Sequence, residues 1–340
     1  MKIKEGENGW KILRIESIDD LWYLKNIIDG KTLVRKTVMR REDKRDDMDR
    51  NKESKRKPVT VTVSPEEVDF QPFTDRLRIW GEIREGPEGL AGQHQSVIVS
   101  ADDEVDIWRE SWDNVAQGIL KESLLKSSSG AIFVSMDDEY ATIFTLRDYG
   151  LYTNGKVYSG KSGKEYAGNY SRSSYFSEIL RMLGSISGDY PVIITGPGFE
   201  GEYFYKYLQE NNFARKIYSI PSANSEESAV FEIIGNNKVR NILGESRLSR
   251  ESEAMDMFLK ELGKDGNCTY GRKEIRKYAE AGAIEKLLVL ESFIRDSEVT
   301  EIMDMAEKGG AEILIVSESG NYGQMLRGFG GYVAITRFKI

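Results

Sequence analysis

The sequence predicts a multi-domain chain of β and α/β parts: a small N-terminal β-barrel followed by two α/β domains. Three observations carry this. The first 100 or so residues alternate apolar and polar positions in short runs, the period of half-buried strands. After Ser127-Ser128-Ser129-Gly130, which reads as a linker, apolar strands alternate with amphipathic helices. The length, 340 residues, fits two or three domains. The boundaries read as 1–126, 131–243 and 247–340.

Within the first part, Asn8-Gly9 between two short runs predicts a hairpin. Ser17 caps a helix whose first turn carries Asp19 and Asp20 and whose apolar face is Leu21, Leu24, Ile27 and Ile28. Gly30 is placed to end it as a left-handed residue. Strands are expected at Thr32–Arg40, Val59–Val63, Leu77–Ile83 and Ser96–Val99, and a helix over Trp108–Leu125. A short helix among strongly bent strands points to a barrel.

One insertion interrupts it. Residues 39–57 hold nine basic side chains, Arg40, Arg41, Lys44, Arg45, Arg50, Lys52, Lys55, Arg56 and Lys57, with six acidic ones. Its large apolar residues are two methionines, too few to pack as core, so a loop between two strands is expected. Two readings stand: a solvated hairpin tip, the usual fate of mixed charge runs, or an RNA-contacting arm whose cations meet phosphates.

Further on, strands are expected at Ala131–Val134, Thr142–Leu146, Pro191–Thr195 and Lys216–Ile220, with helices at Ser174–Leu183 and Glu200–Gln209. A long helix over Gly244–Gly263 then opens a last alternation. It runs Ile275–Ala281 (helix), Leu287–Leu290 (strand), Val299–Ala306 (helix), Ile313–Val316 and Val333–Arg337 (strands).

Composition removes much conventional chemistry. One cysteine, Cys268, excludes a disulfide framework and a Cys-based zinc site. One histidine, His94, excludes multi-histidine metal centres, so any metal is expected to be hard and oxygen-ligated, magnesium or manganese. The net charge of −8 argues against a protein that coats nucleic acid, but not against a local basic element. No apolar run approaches the roughly 18 residues of a membrane span, and the start has no signal-peptide core. A cytoplasmic protein is expected.

Several motifs compete for a role. Gly155–Ser162 fits G-x-x-x-x-G-K-[ST], but Gly163 and Gly168 fall where a phosphate-facing helix should begin, which favours a flexible hairpin over a nucleotide loop. Glu16, Asp19 and Asp20 cluster at the first helix. They are capping groups, or ligands of a divalent metal that activates water for phosphodiester cleavage. Asp137, Asp138 and Glu139 read as a turn, and Pro197-Gly198-Phe199 as a strand-to-helix turn.

These pieces resemble the Pelota family, ribosome-rescue factors related to the class-1 release factors of eukaryotes and archaea. Asp19–Ile28 is similar to the family's DDLW-LYNLI helix. Leu77–Ile83, Gly92-Gln93-His94-Gln95, Pro197-Gly198-Phe199, Tyr270-Gly271, Ala279–Leu288 and Ala334–Phe338 follow in the family's order. The resemblance implies an Sm-like N-terminal barrel and two release-factor-like domains, acting as a monomer away from membranes. It implies surveillance of mRNA and rescue of stalled ribosomes, of the no-go decay type. The partners it implies are the stalled ribosome, mRNA, tRNA, a translational GTPase of the elongation factor 1-alpha type and an ATP-binding-cassette recycling ATPase. The 40–57 segment would lie near mRNA. Pro197, Gly198, Phe199, Lys161 and Lys164 would contact ribosome, tRNA or GTPase. No Gly-Gly-Gln occurs in the chain, so peptide release is not expected. A metal-dependent endoribonuclease has been proposed for the family's N-terminal domain; Glu16, Asp19 and Asp20 are the candidates here, with magnesium or manganese as cofactor and Asp19 and Asp20 as ligands. The family's basic central cluster is reduced to Lys156, Lys161, Lys164 and Arg172.

Overall fold

The computed structural model describes residues 1–41, 56–72, 74–124, 130–161, 171–243, 247–318 and 321–340. They form two compact units, Met1–Lys126 and Ser127–Ile340. Among the described residues, no helix is long and apolar enough to cross a membrane.

The first unit is a seven-stranded antiparallel sheet with two helices. Strands β1 (Lys2–Glu5) and β2 (Lys11–Arg14) pair as the Asn8-Gly9 hairpin predicts, with Lys2 opposite Arg14. Helix α1 (Ile18–Ile27) follows, then β3 (Thr32–Arg41), β4 (Arg56–Gln71), β5 (Arg76–Glu85), β6 (His94–Ser100), β7 (Glu104–Arg109) and helix α2 (Asn114–Leu124). The spatial order is β1-β2-β7-β3-β4-β5-β6.

The sheet rolls up on β4, which carries register shifts at Thr62/Val63 and at Pro65/Glu67. At the second bend a side chain at Gly81 would meet Ser64 O at 2.0 Å, so only glycine lets β5 approach there. The roll brings β3 and β6, three places apart in the sheet, within reach of each other: Lys36 Nζ donates to Ile98 O at 2.6 Å and to Asp103 Oδ2 at 2.6 Å. Inside lie Leu13, Val34, Val61, Val63, Leu77, Ile79, Ile83, Val97, Val99 and Ile107, and α1 adds Leu21, Leu24 and Ile27 to the same core.

Two expectations are corrected here. Helix α1 ends at Ile27 with Ile28 extended, and Gly30 is not left-handed. Trp108 is not helical; it lies on β7, where Val105, Ile107 and Arg109 alternate inward. Buried Arg109 then holds both helix ends. Nη1 donates to Ile27 O, and Nη2 bonds Asp29 at 2.9 Å and Asp113 at 3.0 Å. Asp113 Oδ1 in turn accepts from Ala116 N and opens α2.

The second unit holds two sheets. The central one uses β8 (Ala131–Met136), β9 (Tyr140–Arg147), β10 (Gly150–Tyr158), β11 (Val192–Thr195) and β12 (Ile217–Ser219), in the order β10-β9-β8-β11-β12. Strands β8, β11 and β12 are parallel and β8-β9-β10 antiparallel. Both faces are buried, as near-continuous apolar strands require. Ile132, Val134 and Ile194 meet α3 (Arg172–Ser185) and α4 (Glu200–Glu210) through Phe176 and Phe204. Phe133, Phe144 and Ile193 meet α5 (Glu227–Ile234) and α6 (Asn237–Leu243). The motif stretch Gly155–Tyr158 is part of β10, paired with Ile143–Tyr140, so it is not the open phosphate loop its letters spell. Residues 162–170, Lys164 among them, lie outside the described residues.

The second sheet of this unit follows α7 (Arg247–Leu262). It comprises β13 (Cys268–Tyr270), β14 (Ile284–Leu290), β15 (Glu312–Val316) and β16 (Tyr332–Thr336), in the order β13-β16-β14-β15. The helices are α8 (Arg272–Glu280), α9 (Ser297–Lys308) and α10 (Asn321–Gly328).

Candidate nucleic-acid interface

The basic segment proves narrower as a loop than its composition predicted. Arg40 and Arg41 end β3, and Arg56 and Lys57 begin β4, all in the ladder. Lys44, Arg45, Arg50, Lys52 and Lys55 lie outside the described residues. The register sets Arg40 opposite Lys57 and Arg41 opposite Arg56. Like charges directly across a ladder repel, which works against pairing by a few tenths of a kcal/mol or more. A polyanion laid along the pair would remove that repulsion. Arg40 is oriented by neutral amides of the rolled-up edge: Nη1 donates to Gln95 Oε1 at 3.2 Å and Nη2 to Gln93 Oε1.

The acidic cluster at α1 behaves differently. Ser17 and Asp20 form a reciprocal capping box. Asp20 is nearly buried; its Oδ2 accepts from Glu16 N at 2.7 Å and Ser17 N at 3.1 Å, and its Oδ1 from the Met1 ammonium at 2.8 Å. Glu16 pairs with Lys2 at 2.5 Å, and that hydrogen bond holds its carboxyl below the usual range. Both Asp20 oxygens and a Glu16 oxygen thus already face donors. Among the described residues no group of three or more His, Cys, Asp or Glu side chains converges to hold a metal ion. The oxygens of Asp20 and Glu16, which the sequence offered with Asp19 as ligands for magnesium or manganese, are engaged by the helix cap and by the Met1 and Lys2 ammonium groups.

In the central sheet, Asp137 builds the turn its sequence predicted, accepting from Glu139 N and Tyr140 N. Lys161 is paired with Asp138, and this hydrogen bond lowers the Asp138 pKa. Lys156 Nζ stands 3.3 Å above the Tyr140 ring and 5.3 Å from Tyr158. Pro197-Gly198-Phe199 makes the tight passage from β11 to α4. A side chain at Gly196 would meet Met136 O at 1.9 Å. Phe199 is 69% exposed at the mouth of α4. Arg172 from α3 lies over Tyr203 at 4.4 Å and bonds Glu200 at 2.6 Å, so it joins the turn the sequence had singled out. The aromatics Tyr140, Tyr158 and Tyr203 were not singled out; their signal was only a Tyr spaced from Lys or Arg across elements not yet paired.

His94 stacks on Trp80 at 4.5 Å with Nε2 3.1 Å from Glu66, and Cys268 has its thiol pKa raised by burial. Among the described residues the two are not brought together as a nucleophile and its base.

Residues 1–124 match the Pelota N-terminal domain and residues 248–340 match domain 3 of the release factor eRF1. A protein pelota homolog of Thermoplasma acidophilum is 36% identical over all of both chains. One of Picrophilus torridus is 35% identical over 96% of this chain and 95% of its own. The crystal structure of the Thermoplasma acidophilum Pelota protein superposes with a TM-score of 0.81 at 29% identity, covering all of both chains. With its curled antiparallel N-terminal sheet, two α/β sheets and full-length relatives, the chain belongs to the Pelota family.

Proposed function

We propose that this chain is a ribosome-rescue factor of the mRNA surveillance type. It recognises a ribosome stalled on mRNA and promotes its dissociation through a translational GTPase of the elongation factor 1-alpha type and an ATP-binding-cassette ATPase. It acts in the cytoplasm. The observation that carries this reading is family membership along the whole chain. The lack of Gly-Gly-Gln agrees with rescue without peptide release. The like-charged ends of β3 and β4 supply the mRNA contact, because cations set opposite one another favour a polyanion between them. The Pro197–Phe199 turn with Arg172 supplies a central-domain contact to tRNA or GTPase.

Two measurements test the reading. The chain should co-purify with a GTP-loaded elongation factor 1-alpha homologue and split ribosomes whose decoding site is empty. Deleting residues 41–56 should weaken both ribosome binding and splitting; unchanged rescue removes the hairpin from the mechanism. The alternative is metal-dependent cleavage of stalled mRNA by the N-terminal domain through Glu16, Asp19 and Asp20; the engagement of Asp20 in the helix cap and of Glu16 with Lys2 favours the rescue reading over it.

A further inference from the structure

Inside the second unit, a buried guanidinium bridges the central and C-terminal sheets. Arg247, the first residue of α7, is 3% exposed. Its Nε donates to Asp148 O at 2.8 Å, Nη2 donates to the same carbonyl, and Nη1 donates to Ile315 O at 2.6 Å. Glu251, one turn along α7 and equally buried, pairs with Nη1. Asp148 sits in the turn between β9 and β10, and Ile315 on β15. Beside them Ser317 Oγ donates to Tyr149 O at 2.9 Å. The same junction carries an Arg240–Asp256 pair at 3.1 Å between α6 and α7. An edge-on aromatic contact, Phe231 with Tyr322 at 6.5 Å, and Leu248 against the central cluster lie there too.

Most of these ties are hydrogen bonds and ion pairs to groups that water can satisfy after separation. Such junctions open more readily than apolar ones of equal size. Yet the fork of Arg247 fixes geometry while they are closed: a planar set of donors meets two carbonyls from two sheets, which a lysine's point charge does not reproduce.

The geometry points to Arg247 as a positioning residue, a releasable clasp on the β9–β10 turn that sets the central sheet against the C-terminal sheet. The clasp holds the whole central sheet in register with α7, and with it the Pro197–Phe199 turn. Releasing it frees the central half to reorient while each sheet stays folded. This inference stands on the contacts themselves and does not depend on the proposed function.

The test uses the full-length chain with Cys268→Ser and spin labels at Lys206→Cys on α4 and Glu280→Cys on α8, both exposed. The double variant R247M/E251Q removes both charges, so that no carboxylate is left buried without its cation. The distance distribution between labels is expected to broaden about twofold in R247M/E251Q while the circular dichroism spectrum stays native. R247K should broaden it less, because it keeps the charge and loses the fork. A folded R247M/E251Q with the native width overturns the proposal. If that variant does not fold, R247K decides: broadening supports the clasp, and native width overturns it.

Discussion

Two regions carry the basic residues that the sequence singles out, the β3–β4 ladder and the surroundings of β9 and β10, and they place them differently. At the open end of β3 and β4 the ladder sets Arg40 against Lys57 and Arg41 against Arg56. Around β9 and β10 the cations have partners of their own: Lys161 has Asp138, Lys156 has two tyrosine rings, and Arg172 has Glu200 and Tyr203. A count of Lys and Arg does not separate these cases. The pairing register does, because a charge already neutralised within the fold has less to offer a phosphate. If the chain binds RNA as proposed, the β3–β4 ladder, where Arg40 and Lys57 stand opposite each other, is expected to contribute more to that contact than the central hairpin.

The sharpest way to break this comparison is charge reversal. Replacing Arg40, Arg41, Arg56 and Lys57 by Glu should lower affinity for single-stranded RNA at low salt by on the order of a thousandfold. Replacing them by Gln should reduce the salt slope of log K by about 0.7 per side chain. Fluorescence anisotropy across a salt series reads both. Equal losses from Ala at Lys156, Lys161 and Arg172 would abolish the distinction between the two regions.

Next in size is Asp20. Asp20→Ala should destabilise the first unit by about 2–4 kcal/mol in urea unfolding, since a capping box and a nearly buried charge pair go together. RNA incubated with folded Asp20→Asn should show the same integrity as with the native chain, with or without chelator. A cleavage activity lost in that variant would return the carboxylates to a catalytic role.

Lys156→Ala should cost about 0.5–1 kcal/mol of stability, the value of an exposed cation held over aromatic rings. RNA affinity should change less than for any one substitution in the β3–β4 ladder.

The smallest effect is a pH dependence. The Lys161 hydrogen bond depresses the Asp138 pKa, so its stabilisation is present above the unfolded value near 3.9 and is lost as pH falls through the lower folded value. Both side chains are half exposed, so the contribution is below about 1 kcal/mol. The difference in urea midpoint between native and Lys161→Ala should be present at pH 6, begin to shrink only below about pH 4, and vanish once the pH has fallen past the lowered folded value.

Much of this was legible from local pattern. Ser17 with Asp20 spells its own cap, and Asp137 its own turn, because both need only neighbours three residues away. Strands with alternating apolar residues, such as Leu77, Ile79 and Ile83, are as readable, since one pleat face is the core. Trp108 belongs to a strand that ends only a few residues before α2, and nothing local says that Arg109 turns inward to hold two helix ends. β13 and α10 are short, with few apolar residues in register, so tertiary packing had to define them.

By itself, then, the sequence determined the family, many of the strands and helices, and the poverty of histidine and cysteine chemistry. These depend on residue identity and spacing of two to four positions. Only the tertiary structure decided which charges are spent and which remain. Whether Glu16, Asp20, Lys161 or Arg40 is free to act depends on a partner brought in by register, roll or packing from as far as 55 residues away. Electrostatic interaction falls with distance in space and takes no account of distance along the chain.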